Sequence, residues 1–214
     1  MFVSFAVFHT SLVHVLCFCC CACPLQNTFD LRLYKLSSGN YELEVFMKVQ
    51  FFFEGNALRQ WTGAEKSLFV KTWERDIKKA WGNKKIKTLG SGKQVTLNID
   101  FDTQIGGWMF DHWEVTVSKI KAGSFRTSYV AYKKGQVTLD SEDLVPVNKG
   151  AKTPQRGAVH EFGHMLGLDD EYIKGSKHKH DTSSIMHSSE VIRPRHNSTL
   201  MKWLNNAITI KKIK

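Results

Sequence analysis

Four side chains in one short stretch of this chain could carry out chemistry together: His160, Glu161, His164 and Asp170. If the stretch is helical, residues four apart lie on one face, so the two histidines can point at a single metal ion. Glu161 directly follows the first histidine, where its carboxylate can act on a water molecule instead of binding the metal. The spacing therefore predicts a zinc ion with a neighbouring general base, an arrangement that suits hydrolysis.

The residues after His164 indicate how a third ligand reaches the same ion. Gly167 stands where a helix can end in a residue with positive φ, and the reversed chain then brings Asp170 back. The apolar neighbours predict a buried helix, and they are Val159, Phe162, Met165, Leu166 and Leu168. If the helix is buried, both imidazoles are buried with it. Each then needs a polar partner, and a metal ion can serve as that partner.

Other residues are also candidates for the third ligand. Asp169 ranks after Asp170, and Glu190 has the spacing of a glutamate ligand on a later helix. The polar, lysine-rich segment that follows the histidines adds Glu171, His178, His180 and Asp181. Gly167 favours Asp170, because a ligand on a later helix does not require a glycine turn after the second histidine.

Residues 160–170 and the segment Ser184-Ile185-Met186-His187 together resemble the metzincin family of zinc peptidases. The family signature is His-Glu-x-x-His-x-x-Gly-x-x followed by a third ligand, which is usually histidine. Asp170 at that position is similar to the snapalysin-like branch. The family also has a tight turn that holds a methionine beneath the metal, and the resemblance implies this structural role for Met186.

One position departs from the family pattern. Some metzincins have a tyrosine two residues after the methionine, whereas this chain has Ser188. Tyr172 and His187 are therefore the candidates for a group that steadies the transition state or orients a ligand. An aspartate ligand adds negative charge and makes the ion a weaker Lewis acid than three imidazoles would, so we expect an activity optimum at neutral to mildly alkaline pH.

The resemblance implies a zinc-dependent endopeptidase with one catalytic Zn²⁺ ion and protein or peptide substrates. Glu161 would act as general base toward the metal-activated water and pass the proton to the leaving amine. A narrowly specific, toxin-like protease effector is an alternative with the same chemistry. A non-catalytic zinc-binding protein or a basic nucleic-acid-binding protein fits less well, because a structural zinc site has no use for a base beside it.

Length, charge and cysteine content bound the function further. The chain has 214 residues, which suits one domain, and a formal net charge of +10. The positive charge is spread over short clusters and no nucleic-acid motif accompanies it, so we expect no nucleic-acid partner. All five cysteines lie in residues 1–23, so residues 24–214 contain neither disulfides nor thiolate metal ligands.

Residues 1–23 form a hydrophobic, cysteine-rich leader without Lys, Arg, Asp or Glu. The leader resembles a secretory signal that lacks the usual positively charged start, and a membrane anchor or a wrongly included upstream start are alternatives. We therefore expect a secreted or extracellular protein, with a membrane-anchored protein or a delivered effector as alternatives. Any membrane contact would be made through this leader.

Hydrophobic periodicity predicts the elements that position the site. Apolar residues at helical spacing predict a helix over 62–81, and residues 41–54 predict one or two strands. We also expect strands at 94–101, 112–119, 127–133 and 136–139, and a final helix at 198–207.

These elements and the resemblance predict an α+β fold of the metzincin-like zincin type. A mixed twisted sheet would carry an active-site helix, and a small C-terminal subdomain would hold the methionine turn. Residues 24–214 would form one metallopeptidase domain, with an upper part over about 40–170 and a lower part over about 171–214. In that family the substrate pairs with an edge strand, for which residues 130–134 are the candidate.

Overall fold

The computed structural model describes residues 28–108, 111–124, 126–211 and 213. The leader expected at residues 1–23 lies outside the described residues. Within the described part, seven strands form one sheet: β1 (Asp30–Lys35), β2 (Tyr41–Glu54), β3 (Lys84–Thr88), β4 (Gln94–Ile105), β5 (Trp113–Ser118), β6 (Tyr129–Ala131) and β7 (Gln136–Asp140). The α-helices are α1 (Gly63–Trp81), α2 (Gly157–Met165) and α3 (Ser198–Lys211).

The sheet is organised around the long strand β2. On one side β2 pairs in parallel with β4, and on the other side it pairs first with antiparallel β1 and then with parallel β5. At one end of the sheet β7 runs parallel to β5 and β6 runs antiparallel to β7, while β3 closes the other end against β4. The fold is therefore α+β with a mixed sheet, as the sequence predicted.

Alternating residues of β2 build the core face of the sheet. Leu43, Val45 and Val49 are fully buried there, as is Phe51, whose ring meets Trp73 of α1 edge-on with centroids 5.2 Å apart. Each such side chain removed from water stabilises the fold by about 1.5–3 kcal/mol. The apolar face of β2 therefore fixes α1 on the sheet.

Helix α1 in turn positions α2. It begins with a capping box in which Thr62 and Glu65 bind each other's backbone N–H groups, and it ends at Trp81. The indole Nε1 of Trp81 donates to the Val159 carbonyl at 3.0 Å, and its ring packs on Phe162 with centroids 5.7 Å apart. The two contacts fix one side of α2 against a helix that the sheet already holds.

The C-terminal segment packs into the same hydrophobic core as the sheet and helices. Its core members are Ile185 and Met186 in a turn, and Leu200 and Leu204 on α3. Within the described residues, the search for a helix long and apolar enough to cross a bilayer found none.

The structure corrects several predicted bounds and adds two strands. Helix 62–81 and strand 41–54 are confirmed, while the strand predicted at 94–101 continues to Ile105 and the final helix continues to Lys211. The strand predicted at 127–133 is too long, because a 3₁₀ turn at Tyr132–Lys134 ends it before Gly135, whose φ is +63°. Strands β1 and β3 were not predicted, since each forms little core of its own.

Candidate metal centre

Helix α2 carries both histidines and ends at a glycine turn. The N–H of Gly167 donates to the His164 carbonyl at 2.8 Å, and the N–H of Leu168 donates to the Gly163 carbonyl at 3.1 Å. The φ of Gly167 is +81°, so the two bonds form a Schellman motif around a left-handed residue. The predicted glycine turn is confirmed, and the chain reverses direction there and returns to Asp170.

Three side chains from the motif meet at one point. Nε2 of His160 lies 3.2 Å from Oδ1 of Asp170, and Nε2 of His164 lies 3.3 Å from the same oxygen. The ligand atoms of the three residues all lie within 4.8 Å of one another. The structure therefore brings together the three residues that the spacing selected as metal ligands.

Backbone carbonyls determine which nitrogen of each imidazole faces this point. Nδ1 of His160 lies 2.8 Å from the Ile185 carbonyl, and Nδ1 of His164 lies 2.7 Å from the Leu168 carbonyl. A carbonyl oxygen only accepts, so each Nδ1 carries a proton and donates it. In the neutral imidazoles both Nε2 atoms are therefore left with a lone pair directed at Asp170.

The arrangement fits a cation at the centre of the three ligand atoms. Oδ1 of Asp170 is buried and has no hydrogen-bond donor among the described residues. Two nitrogen lone pairs and one carboxylate oxygen thus converge with no proton between them, which is costly unless a positive charge lies there. Two imidazoles and a carboxylate form a three-ligand set of the kind that holds zinc in catalytic sites.

The close approach of the three ligand side chains also shifts the pKa values of His164 and Asp170. Burial by itself lowers the pKa of the His164 imidazole, but the Asp170 carboxylate and the Leu168 carbonyl outweigh burial and raise it overall. Burial raises the pKa of Asp170, and the nearby groups of His160, His164 and Tyr172 nevertheless bring this pKa below its usual range, because a proton at this point goes to a histidine and not to the carboxylate. Both shifts indicate an electronegative point that a proton or a metal ion can occupy.

Glu161 is held beside the ligands in a buried position. Its side chain is on α2, the residue is 6% exposed, and its Oε2 has no hydrogen-bond donor within the part of the chain that the structure describes. Burial raises the pKa of its carboxyl group, while the charges of His160 and His164 oppose the rise. A desolvated carboxylate without a fixed partner is suited to accept a proton.

The segment that the resemblance identified as a methionine turn is a tight turn in the structure. The N–H of His187 donates to the Ser184 carbonyl at 3.0 Å and closes it. Met186 is fully buried, and its Sδ packs against the Cα of Gly163, where a side chain would collide with it. Gly163 lies between the two histidines on α2, so Met186 packs on the helix at the level of the ligands.

Tyr172 and His187 both lie near Asp170. The hydroxyl of Tyr172 donates to Oδ2 of Asp170 at 2.8 Å, and its ring meets His187 edge-on with centroids 5.9 Å apart. Burial and the Asp170 carboxylate raise the pKa of Tyr172 to about 12, so the phenol keeps its proton. Tyr172 therefore binds the carboxylate oxygen that does not face the histidines, and His187 packs against the Tyr172 ring.

The other candidates for the third ligand are engaged elsewhere or exposed. Glu190 binds Arg156 through both carboxylate oxygens, at 2.6 and 2.8 Å. Glu171 binds Arg195 in the same way, at 2.6 and 2.7 Å, and Asp181 binds two arginines. The remaining candidates are exposed or partly exposed and do not belong to the three-residue cluster; they are Asp169, His178 and His180.

Sequence reasoning missed the groups that orient the first histidine. The Ile185 carbonyl is backbone and leaves no signal in the sequence. Nε2 of Gln155 donates to the carbonyls of Ile185 at 2.8 Å and Ser189 at 2.7 Å, so it holds the turn that receives His160. Gly163 did carry a signal, since a glycine inside a buried helix indicates the close approach of another group.

Comparison of the chain with protein-family models, with curated proteins and with solved structures found no match.

Proposed function

We propose that this protein is a zinc-dependent endopeptidase whose ion is held by His160, His164 and Asp170. The observation that carries the proposal is the convergence of the Nε2 atoms of two histidines, whose Nδ1 atoms both face backbone carbonyls, on a buried Asp170 oxygen that lacks a donor among the described residues. A zinc ion bound there would lower the pKa of its water and polarise the peptide carbonyl.

Glu161 is the proposed general base. Its buried carboxylate accepts a proton from the attacking water at Oε2, the oxygen without a donor in the described structure, and passes it to the leaving amine nitrogen. Burial raises the pKa of this group above its ordinary value, so the carboxylate is a stronger base than an exposed glutamate. The resulting acid can then return the proton at the pH where the enzyme works.

The remaining groups hold the ligands in place. The Leu168 and Ile185 carbonyls fix the tautomers of the two histidines, and Tyr172 fixes the rotation of the Asp170 carboxylate. Ligand orientation of this kind typically contributes 10–100-fold to metal affinity or activity. Tyr172 is therefore proposed as a positioning residue, with His187 packed behind its ring.

Strand β6 supports the proposal that the substrate binds as an extended chain. It forms one end of the sheet, with β7 as its partner among the described strands, and it contacts α2. A peptide can add to such an edge through main-chain hydrogen bonds. The proposed edge is Tyr129–Ala131, shorter than the predicted 130–134.

The test is cleavage of an unfolded protein such as casein by the zinc-loaded chain and by its Glu161→Gln variant. We expect the wild type to cleave casein and a chelator to abolish cleavage. The variant keeps the three ligands, so it should bind zinc with unchanged stoichiometry and lose at least about 1,000-fold in rate, because a general base and the orientation of its water are lost together.

Glu54→Gln is the matched control, since Glu54 is an exposed carboxylate at the end of β2. It should retain wild-type cleavage. Absence of zinc from the purified, zinc-supplemented wild type would refute the proposal, and so would a Glu161→Gln variant as active as the control.

A further inference from the structure

A pocket of about 660 Å³ opens beside the candidate metal centre and shares Asp170 and Met186 with it. The lysine-rich segment 173–178 lines the pocket, and Arg195 and His196 also contribute to the lining. Binding pockets for small groups have volumes of about 300–1,000 Å³, so there is ample room for a substrate side chain. Because the pocket and the ligand set have Asp170 in common, a side chain that enters it belongs to a residue close to the scissile bond.

The acidic groups that line the pocket have partners, with one exception. Glu171 binds Arg195 through both oxygens, and the charge of Asp170 would be balanced by the proposed zinc ion that it binds together with the two histidines. Asp169 is exposed and has no ion-pair partner among the described residues. The lining therefore contributes one uncompensated negative charge.

The basic groups of the segment 173–178 are uncompensated. Lys174 and Lys177 are exposed, and neither ammonium forms a hydrogen bond or an ion pair with a residue that the structure describes. Against the single charge of Asp169, two free ammonium groups leave the pocket mouth positive. A positive, solvent-accessible pocket attracts an anionic side chain and repels a cationic one.

Backbone turns fix the position of these lysines. The N–H of Ser176 donates to the Ile173 carbonyl at 3.1 Å, and the N–H of Asp181 donates to the His178 carbonyl at 2.8 Å. The carboxylate of Asp181 is bound by Arg193 and Arg195, so the end of the segment is tied to the C-terminal part of the chain. The lysines therefore extend from a defined wall of the pocket.

We infer that this pocket selects an acidic substrate side chain next to the scissile bond, and that Lys174 and Lys177 are the specificity-determining residues. The inference rests on the proposed peptidase function. A carboxylate in the pocket meets two exposed ammonium groups, each of which contributes modestly, so we expect a preference of about fivefold to tenfold over an uncharged side chain.

The test uses peptides built on a site that the protein cleaves in casein, with Glu or Gln placed in turn at three positions on each side of the bond. At one position the Glu peptide should have a kcat/KM at least about fivefold above its Gln counterpart, and the difference should shrink at high salt. The double variant Lys174→Glu/Lys177→Glu should abolish or reverse the preference, which is measured as the ratio of kcat/KM for the Glu peptide to kcat/KM for the Gln peptide.

The matched control is Lys84→Glu/Lys85→Glu on strand β3, which changes the net charge equally and lies outside the pocket lining. It should keep the wild-type preference. The inference is overturned if Glu and Gln peptides are cleaved equally at all positions. It is also overturned if the pocket variant retains the preference, or if the β3 variant loses it to the same extent.

Binding to the inactive Glu161→Gln variant separates this inference from the proposed function. Fluorescence anisotropy should give the Glu peptide a Kd several-fold below that of the Gln peptide, and Lys174→Glu/Lys177→Glu in the same background should remove the difference. If the wild type cleaves no site in casein, the binding measurement uses a glycine–serine peptide with a central Glu or Gln. Lysine-dependent binding of this Glu peptide would then support acidic recognition although the peptidase proposal has failed. If the peptides are cleaved without any difference in binding or rate, only the inference fails.

Discussion

At the scale of single residues, the site depends on one carboxylate placed between two imidazoles. The same oxygen of Asp170 lies 3.2 Å from one Nε2 and 3.3 Å from the other, while both Nδ1 atoms donate to backbone carbonyls. Without a cation, three acceptors would repel one another, and with one they become ligands. Affinity for zinc should therefore depend on Asp170 far more than on the acidic residues adjacent to it in sequence.

Asp170→Asn is predicted to weaken zinc binding by at least about 100-fold, because it removes an anionic ligand outright, and loss of even an orienting partner costs 10–100-fold. Competition against a chromogenic chelator measures the change. The control is Asp169→Asn, whose side chain is exposed and does not join the cluster. Equal zinc affinity in the two variants would contradict the assignment of Asp170.

Zinc affinity is also predicted to fall as the pH falls. Interactions with Asp170 and the Leu168 carbonyl raise the pKa of His164 above its ordinary value of 6.5 although burial opposes them. Below that raised pKa a proton occupies the nitrogen that the metal needs, whereas Asp170 stays ionised and releases none. The apparent affinity should drop about tenfold per pH unit once His164 is protonated.

Calorimetric titrations with zinc in buffers of different ionisation enthalpy count the protons released. We expect close to one proton released per zinc at a pH below the raised pKa of His164, and fewer as the pH rises above that pKa and the imidazole becomes neutral. A zinc affinity that stays constant on both sides of that pKa would show that no proton competes with the metal at this histidine.

The residues of the site were largely predictable because their geometry is local. His160, Glu161 and His164 share one helix, and Gly167 supplies the turn that returns the chain, so spacing alone indicated the cluster. The glycine turn ranked Asp170 first among the candidates for the third ligand, but spacing alone did not exclude the others. Their exclusion depended on partners distant in sequence, such as the arginine that binds Glu190.

At the scale of elements, helix α2 is constrained by the close approach of other side chains to its backbone. Gly163 lets the sulfur of Met186 reach the helix backbone, and Trp81 of α1 lies just beyond it. Alanine is ordinarily preferred to glycine inside a helix by about 1 kcal/mol. At this position the added methyl group meets two fully buried side chains instead.

Gly163→Ala is therefore predicted to destabilise the protein by about 1–3 kcal/mol, because overpacking outweighs the helix-propensity gain. Urea denaturation of the zinc-free protein measures the free energy of unfolding. Gly63→Ala serves as the control, since Gly63 opens α1 and a methyl group there meets no neighbouring atom. A stabilising Gly163→Ala would show that Met186 does not pack against α2.

The long elements were predictable because burial imposes a period on the sequence. In strand β2 every second residue from Leu43 to Phe51 is apolar and buried, and α1 repeats its apolar residues at helical spacing, so both were predicted within a residue of their bounds. Strand β3 contains Lys84, Lys85 and Lys87, and its local sequence is typical of a solvated basic cluster. It forms only by pairing with β4 at the edge of the sheet, which is information that the local sequence does not contain.

At the scale of the whole molecule, Arg156 joins three parts of the chain at the start of α2. Its guanidinium binds Asp76 of α1 at 2.8 Å and Glu190 of the C-terminal segment at 2.6 Å. The charge is largely buried, and hydrogen bonding to Glu190 raises its pKa further, so it stays ionised. The segment that supplies the methionine turn is thus linked to the same arginine that precedes the two histidines.

Arg156→Gln is predicted to cost about 3 kcal/mol of unfolding free energy, because it leaves Asp76, which is 5% exposed, without its buried counter-charge. Arg75→Gln is the matched control, since Arg75 binds the other oxygen of Asp76 at 2.9 Å but its side chain is 68% exposed. An exposed partner of this kind contributes less than about 1 kcal/mol. Denaturation of both variants in excess chelator measures the stability of the fold without the metal. Equal losses would mean that Arg156 does not join α1, α2 and the C-terminal segment as described. If the loss is specific to Arg156→Gln, zinc affinity in the same variant should fall as well, because the start of α2 and the turn at Met186 then lose their common anchor.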